Sequence, residues 1–215
     1  GYEEGRSLFL THGVGVDIDK YQLPKEVRVA ARRMLGIYEE SVVFICIGEL
    51  NKNKNQKWLL EAWKEIQDGN CMLLIVGDGK LRSKLQTFVK ERDIDKVLFL
   101  GFRGDIPELL AASDVLVSVS KTEGLPKNVM EAMASGKPVI KTNVRGTRDL
   151  VKDNETGLLV APGSGHQLAE AMVTLSKNEK LRCEFGMKGR QLIDEFSIEC
   201  VLGEMNAQYW RNARR

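Results

Sequence analysis

Histidine is almost missing from this chain: of 215 residues only His12 and His166 carry an imidazole, and neither has a serine, cysteine or acidic partner at a motif spacing. Neither is therefore assigned a catalytic role, and His166 is expected to help start a helix. Cysteine is also scarce. Cys46, Cys71, Cys183 and Cys200 form no CxxC pair, which argues against a zinc scaffold or a disulfide framework. No apolar stretch is long enough to span a bilayer as a helix, and Gly1 opens no signal-like segment, so a cytoplasmic setting is the default expectation. Charge of one sign is lacking as well. With 32 basic and 30 acidic residues the net charge is +2, which rules out a broad cationic surface for nucleic acid and confines any anion site to a local cluster. Neither an internal repeat nor a low-complexity tract is present.

What the chain does have is a 43% hydrophobic content, ample for a packed core. Apolar runs of strand length recur at 42–47, 72–76, 97–100, 115–119, 138–140 and 157–160, and they barely alternate, so both sheet faces should be covered. Between them lie helical patterns carried by Trp58, Leu59, Ala62, Trp63 and Ile66, then Leu81, Leu85, Phe88 and Val89, then Ile106, Leu109 and Leu110. Upstream, Pro24 opens a helix whose expected apolar face is Val27, Ala30, Ala31, Met34 and Leu35; after residue 165 only helices follow. Strand and helix taking turns predicts an α/β fold: a Rossmann-like, doubly wound parallel sheet of about six strands, helices on both faces and extra C-terminal helices.

Ligands of such sheets bind beyond the carboxyl ends of the strands. Five loops, 48–54, 77–79, 101–104, 121–127 and 143–148, hold the unusual residues and should converge there. The most informative is KTEGLPKNVMEAMASGKPVI, in which Glu123 stands at a strand end and Glu131, on the helix that follows, lies about two turns further on. A helix start attracts phosphate through its free N–H groups, and a carboxylate further along can accept from sugar hydroxyls, so the pair suggests a nucleotide-sugar site.

Each residue also has a plainer reading. Lys54, one of three nearby lysines, is a poor choice for a helix start unless it meets an anion such as a diphosphate; otherwise it is solvated. Glu123 could oppose positive charge at an anomeric carbon or merely favour the helix dipole. Glu131 has apolar neighbours, and a nearly buried carboxylate needs partners, although helical glutamates are commonly exposed. Gly77-Asp78-Gly79 lacks the third glycine of a dinucleotide fingerprint, with Arg82 in its place, and is read as a tight turn whose aspartate caps the next helix. Arg145 and Arg148 could reach a phosphate, an acceptor or solvent.

From about Val14 onward the ordered segments GELNKNKNQ, VGDGKL, VLFLGFRGDIPELLAASDVLVSVS, EGLPKNVMEAMASGKPVI, RGTRDLV and ETGLLVAPG resemble the donor-binding half of retaining glycosyltransferases of family 4, which have the GT-B fold. The resemblance implies that Glu131 binds ribose hydroxyls and that catalytic Glu123 contacts the donor sugar. It assigns the diphosphate to the helix start at Leu125, Lys127 and Asn128, neutralisation of the leaving phosphates to Lys54, and the base to the backbone near Arg103. It also implies catalysis without a metal or other cofactor, on a nucleotide-sugar donor for which UDP is the favoured nucleotide and GDP remains open. The variants are similar to bacterial enzymes of capsule, exopolysaccharide or lipopolysaccharide assembly, whose acceptor is a glycan or a lipid-linked glycan and whose full-length form can associate with the inner face of the membrane.

Three departures from the family pattern stand out: Glu49 where arginine is usual, Pro126 where glycine is common, and Asp149 in place of glutamate. Lys121, Lys127, Arg145 or Arg148 could replace the lost phosphate contact. The resemblance further implies that 1–20 is an interdomain linker and leading segment, 21–195 the donor-binding domain, and 196–215 a C-terminal helix that packs toward an N-terminal acceptor half, leaving Trp210 exposed. The chain alone is then expected to bind nucleotide weakly with negligible turnover. Two alternatives stay open: a nucleotide-sugar epimerase of the same fold, and a non-catalytic nucleotide-binding or assembly subunit.

Overall fold

The structure, a computed structural model, describes residues 14–66, 70–144 and 150–213, with the side chains of 208–213 excepted. Strands β1 (Val42–Ile47), β2 (Cys71–Val76), β3 (Val97–Gly101), β4 (Val115–Ser118), β5 (Val139–Thr142) and β6 (Gly157–Val160) form one sheet. Its order is β3-β2-β1-β4-β5-β6, and every pairing is parallel. Helices α1 (Lys25–Leu35), α2 (Gln56–Trp63), α3 (Arg82–Glu91), α4 (Ile106–Ala112), α5 (Lys127–Ala134), α6 (Gly165–Lys177), α7 (Glu179–Leu192) and α8 (Ile198–Ala213) complete the described fold.

The near-continuous apolar strands are explained by a core on each face. Phe44, Cys46, Leu73, Ile75, Val115 and Val117 pack with α2 and α6 on one side. Val43, Ile45, Leu74, Val76 and Leu116 pack with α4 and α5 on the other. Val16, Ile18 and Tyr21, ahead of α1, are buried in this second core, and Val16 bridges Ser197 at the approach to α8.

Two details differ from the sequence reading. Strand β5 continues through Lys141 and Thr142 beyond the apolar run, because the Lys141 ammonium finds the Ser118 hydroxyl on the neighbouring strand at 3.1 Å. Helix α1 buries only part of the face expected of it: Ala31 is buried and Val27 and Leu35 are half-buried, but Met34 is 78% exposed and Arg32, outside that face, is buried. The reason is polar. Arg32 donates to the carbonyls of Ala112, Tyr38, Glu39 and Ser41 and to Asp114, while Arg28 donates to Ala111, Ser113 and Asp114. The two guanidinium groups thus satisfy carbonyls at the end of α4, an arrangement that hydrophobic periodicity does not register.

Strand order reverses between β1 and β4, so the loops leaving them diverge and open a crevice at their carboxyl ends. The adjacent β1 and β2 loops approach so closely that a Cβ on Gly77 would lie 2.1 Å from the Gly48 carbonyl oxygen, and Gly77 has φ +130°. Only glycine is accommodated there.

Candidate functional site

A cleft of ≈ 550 Å³ occupies this crevice. Its lining includes all seven site residues singled out in the sequence: Lys54, Arg103, Glu123, Leu125, Lys127, Asn128 and Glu131. Four of the five expected loops contribute; from the fifth, Asn143 and Val144 do not line it, and Arg145, Arg148 and Asp149 lie outside the described residues.

The β1 loop is shaped by Asn51, whose side-chain oxygen accepts from the N–H groups of Asn53 and Lys54, a local turn that substitutes for regular structure. Asn53 then ties this loop to the one after β4. Its carbonyl accepts from Lys121 N–H at 2.8 Å, its amide donates to the Thr122 carbonyl, and its side-chain oxygen accepts from the Thr122 hydroxyl at 2.9 Å. This cross-tie places the Lys54 ammonium 2.6 Å from Glu123 Oε1.

Burial alone would favour the neutral acid at Glu123. The hydrogen bond from Lys54, the Ser120 hydroxyl, and the charges of Lys54 and Lys141 outweigh it, so the carboxyl ionises below its ordinary value. Lys141 is wholly buried, and burial lowers its pKa to about 8, with the Glu123 carboxylate pulling in the opposite direction.

Helix α5 starts at the cleft behind Pro126, which makes no side-chain cap. Val129 and Met130 N–H groups turn back to the Pro126 carbonyl, and among the described residues no hydrogen bond uses the N–H of Lys127 or Asn128. These are the orphan donors of a helix start, available to an anion. The Asn128 side chain donates to the Ile47 carbonyl at 2.8 Å and pins the helix start to β1. One turn on, Glu131 is only 7% exposed. It accepts from the Tyr21 hydroxyl at 2.6 Å, and the Lys127 ammonium lies 3.6 Å from the same oxygen.

At the far wall Phe102 is 84% exposed, and the Arg103 guanidinium is held by both oxygens of Asp105, at 2.7 and 2.5 Å. Asp78 does not cap α3 as the sequence reading had it. It accepts from its neighbour Gly79 N–H and from the Arg82 side chain, four residues on, while the N-cap position of α3 falls to Leu81. Lys121 does not line the cleft, whereas Lys127 and the acidic Glu49 do. His166, exposed on α6, meets Glu170 at 3.1 Å while Ser164 caps that helix. Among the described residues, no group of three His, Cys, Asp or Glu side chains could hold a metal ion.

Three contributors were not found from sequence. Tyr21 acts across 110 positions and had no local signal. Asn53 was hidden in a polar loop; Lys141 offered one clue, a lysine directly following an apolar strand run.

Fold and site together define a doubly wound α/β domain whose topological switch point holds a cleft lined by Lys54, Glu123, Glu131 and the start of α5. The chain belongs to the glycosyl transferases group 1 family, whose sequence model matches residues 27–192. It is 32% identical over 190 residues to an Escherichia coli UDP-Gal:α-D-GlcNAc-diphosphoundecaprenol α-1,3-galactosyltransferase, covering 86% of this chain and 49% of that enzyme. Among solved structures, Anabaena HepE in complex with UDP and glucose superposes with a TM-score of 0.86 at 25% identity, covering 91% of this chain and 55% of that one. The C-terminal domain of the Francisella tularensis group 1 protein LpcC gives 0.76 at 26% identity over 86% of this chain and 100% of its own. The structural neighbours are glycosyltransferases of the GT-B fold. The chain spans about half the length of the curated relatives it matches. Among the described residues no helix is long and apolar enough to cross a membrane.

Proposed function

We propose that this chain is the donor-binding half of a retaining glycosyltransferase that takes a sugar from a nucleotide diphosphate, UDP being favoured, to a glycan or lipid-linked acceptor in bacterial surface-polysaccharide assembly. The observation that carries the reading is the grouping, in one cleft, of Lys54 against Glu123, the open N–H groups of Lys127 and Asn128, and the buried carboxylate of Glu131. The UDP held by HepE and the UDP-sugar named for the E. coli relative support the choice of nucleotide.

In this reading Glu131 accepts from ribose hydroxyls. The α5 start beside Leu125 and the Lys54 ammonium hold the diphosphate, and the backbone at Arg103 meets the base. Glu123 faces the sugar. The bond from the anomeric carbon to the phosphate oxygen breaks as the acceptor oxygen bonds to the same face. The acceptor proton passes to the departing phosphate, while the Glu123 carboxylate opposes the positive charge developing at the anomeric carbon. Lys54 and the helix dipole stabilise the leaving diphosphate. The segment up to Lys20 leads in from an N-terminal acceptor half, with Val16 and Ile18 at its end seated in the second core, and α8 (Ile198–Ala213) returns toward that half. The reaction is cytoplasmic, at the inner face of the membrane, and the chain alone turns over negligibly.

A thermal-shift panel with UDP, GDP, ADP and their sugars tests the binding, since a ligand that prefers the folded state raises its melting temperature. Stabilisation by none of them rejects the reading. Glutamate at position 49 in the cleft favours a second one, a non-catalytic nucleotide-binding subunit. Glu123→Ala in the intact protein separates the two: a transferase loses transfer and keeps nucleotide binding, whereas a binding subunit has no transfer to lose.

A further inference from the structure

Tyr21 closes a short 3-10 turn, Asp19–Tyr21, ahead of α1. Its ring lies in the same core as Val129 and Met130 of α5, a packing role that phenylalanine would fill equally well. The hydroxyl is the part that packing does not explain. Among the described residues its hydrogen-bond partner is Glu131 Oε1, at 2.6 Å, a length typical of a charge-assisted bond. The Lys127 ammonium approaches the same oxygen at 3.6 Å. Both protein partners thus engage Oε1, and among the described residues Oε2 accepts no hydrogen bond. Burial first, and then the neighbouring Glu131, push the ionisation of the Tyr21 hydroxyl well above its ordinary value, so it remains a donor at any ordinary assay pH.

We infer that Tyr21 is a positioning residue: its hydroxyl clamps Oε1 of Glu131 so that Oε2 is held for a ribose hydroxyl, and this makes the cleft prefer ribonucleotides to deoxyribonucleotides. The inference rests on the nucleotide-sugar reading above. Its physical basis is pre-organisation. Glu131 stands on a helix, and an unclamped carboxylate there would have to be ordered by each incoming ligand; a clamped one meets the ligand already oriented. The clamp also links the segment before α1 to a cleft formed otherwise by strand-end loops and α5.

The test is calorimetric titration of the 215-residue chain with UDP, 2′-deoxy-UDP and 3′-deoxy-UDP, in wild type, Tyr21→Phe, Glu131→Gln and the double variant. Wild type is expected to prefer UDP over at least one deoxy analogue by about tenfold or more, and Tyr21→Phe to shrink that ratio to within about threefold while binding the deoxy analogue as wild type does. The double variant is expected to lose no more than Glu131→Gln alone, because the two groups act as one unit. An undiminished UDP preference in Tyr21→Phe overturns the proposal. So does an equal loss for all three ligands, which would mark a purely structural tyrosine. A wild type that binds UDP and both deoxy analogues equally overturns it too while leaving the nucleotide reading in place; a wild type that binds no nucleotide overturns both. A second measurement needs no substitution of Tyr21: in fluorotyrosine-labelled wild type, the Tyr21 fluorine resonance is expected to shift with UDP and much less with the discriminated deoxy analogue. Identical shifts with the two ligands reject the clamp.

Discussion

Lys54 and Glu123, separated by 69 positions, meet at 2.6 Å across two loops, so the cation assigned to the diphosphate is paired with a carboxylate before any ligand arrives. In the proposed reading a nucleotide has to share or displace that contact. Glu123→Gln is therefore expected to bind UDP at least as tightly as the wild type while abolishing transfer in the intact enzyme. Lys54→Met, which deletes a charged hydrogen-bond donor, is expected to weaken UDP binding by about 10- to 100-fold. Titration calorimetry measures both. Weaker binding by Glu123→Gln would show instead that the carboxylate is needed to place Lys54.

Glu49 lines the cleft and is exposed; in the proposed reading its charge would oppose the anionic ligand. Glu49→Gln should tighten UDP binding by about threefold at low salt, with the gain shrinking toward high salt as exposed charges are screened. Equal affinities at low ionic strength would remove Glu49 from the account of the diphosphate site.

Lys141 is wholly buried, and its pKa is lowered from 10.5 to about 8. Between those values the unfolded chain binds more protons than the folded one, so this group's contribution to stability rises with pH; below about pH 8 the full cost of burying the charge is present. Lys141→Met is thus expected to be more stable than the wild type at pH 7, by up to about 3 kcal/mol. The gap should close as pH rises toward 10.5. Urea unfolding of the two proteins at a series of pH values checks the sign: a gap that widens with pH, or a variant less stable at pH 7, contradicts it.

Asp114 accepts from Arg32 at 2.7 Å, from Arg28 at 2.8 Å and from the Val43 N–H at 2.7 Å, which joins α1, the end of α4 and β1. Removing Asp114 leaves the buried Arg32 guanidinium bonded to carbonyls without the carboxylate that balances its charge. Asp114→Ala is expected to cost about 3–5 kcal/mol of stability, measured by urea unfolding, with a smaller loss for Arg28→Ala because its guanidinium is partly solvated.

The parallel sheet was legible because burial on both faces writes itself into a strand: Val42 to Ile47 and Cys71 to Val76 are apolar throughout. The cleft was legible for a related reason, since in a doubly wound sheet chemistry gathers at strand ends and Glu123 stands at one. Helix α1 was misjudged because hydrophobic periodicity cannot tell which arginine will find carbonyls to satisfy. Arg32 is buried among them, and Met34 is left outside.

By itself, the sequence determined the alternation of strands and helices, the glycine turn at Gly77 and the two glutamates flanking a helix start, because these depend on neighbours close along the chain. Tertiary structure alone decided that Asn53 ties two loops together, that Lys54 closes on Glu123, that Lys141 lies wholly buried on β5, and that Tyr21 reaches Glu131. Those contacts join residues from 23 to 110 positions apart. Their partners are chosen by how the sheet brings strand ends together, and a local pattern carries no record of that choice.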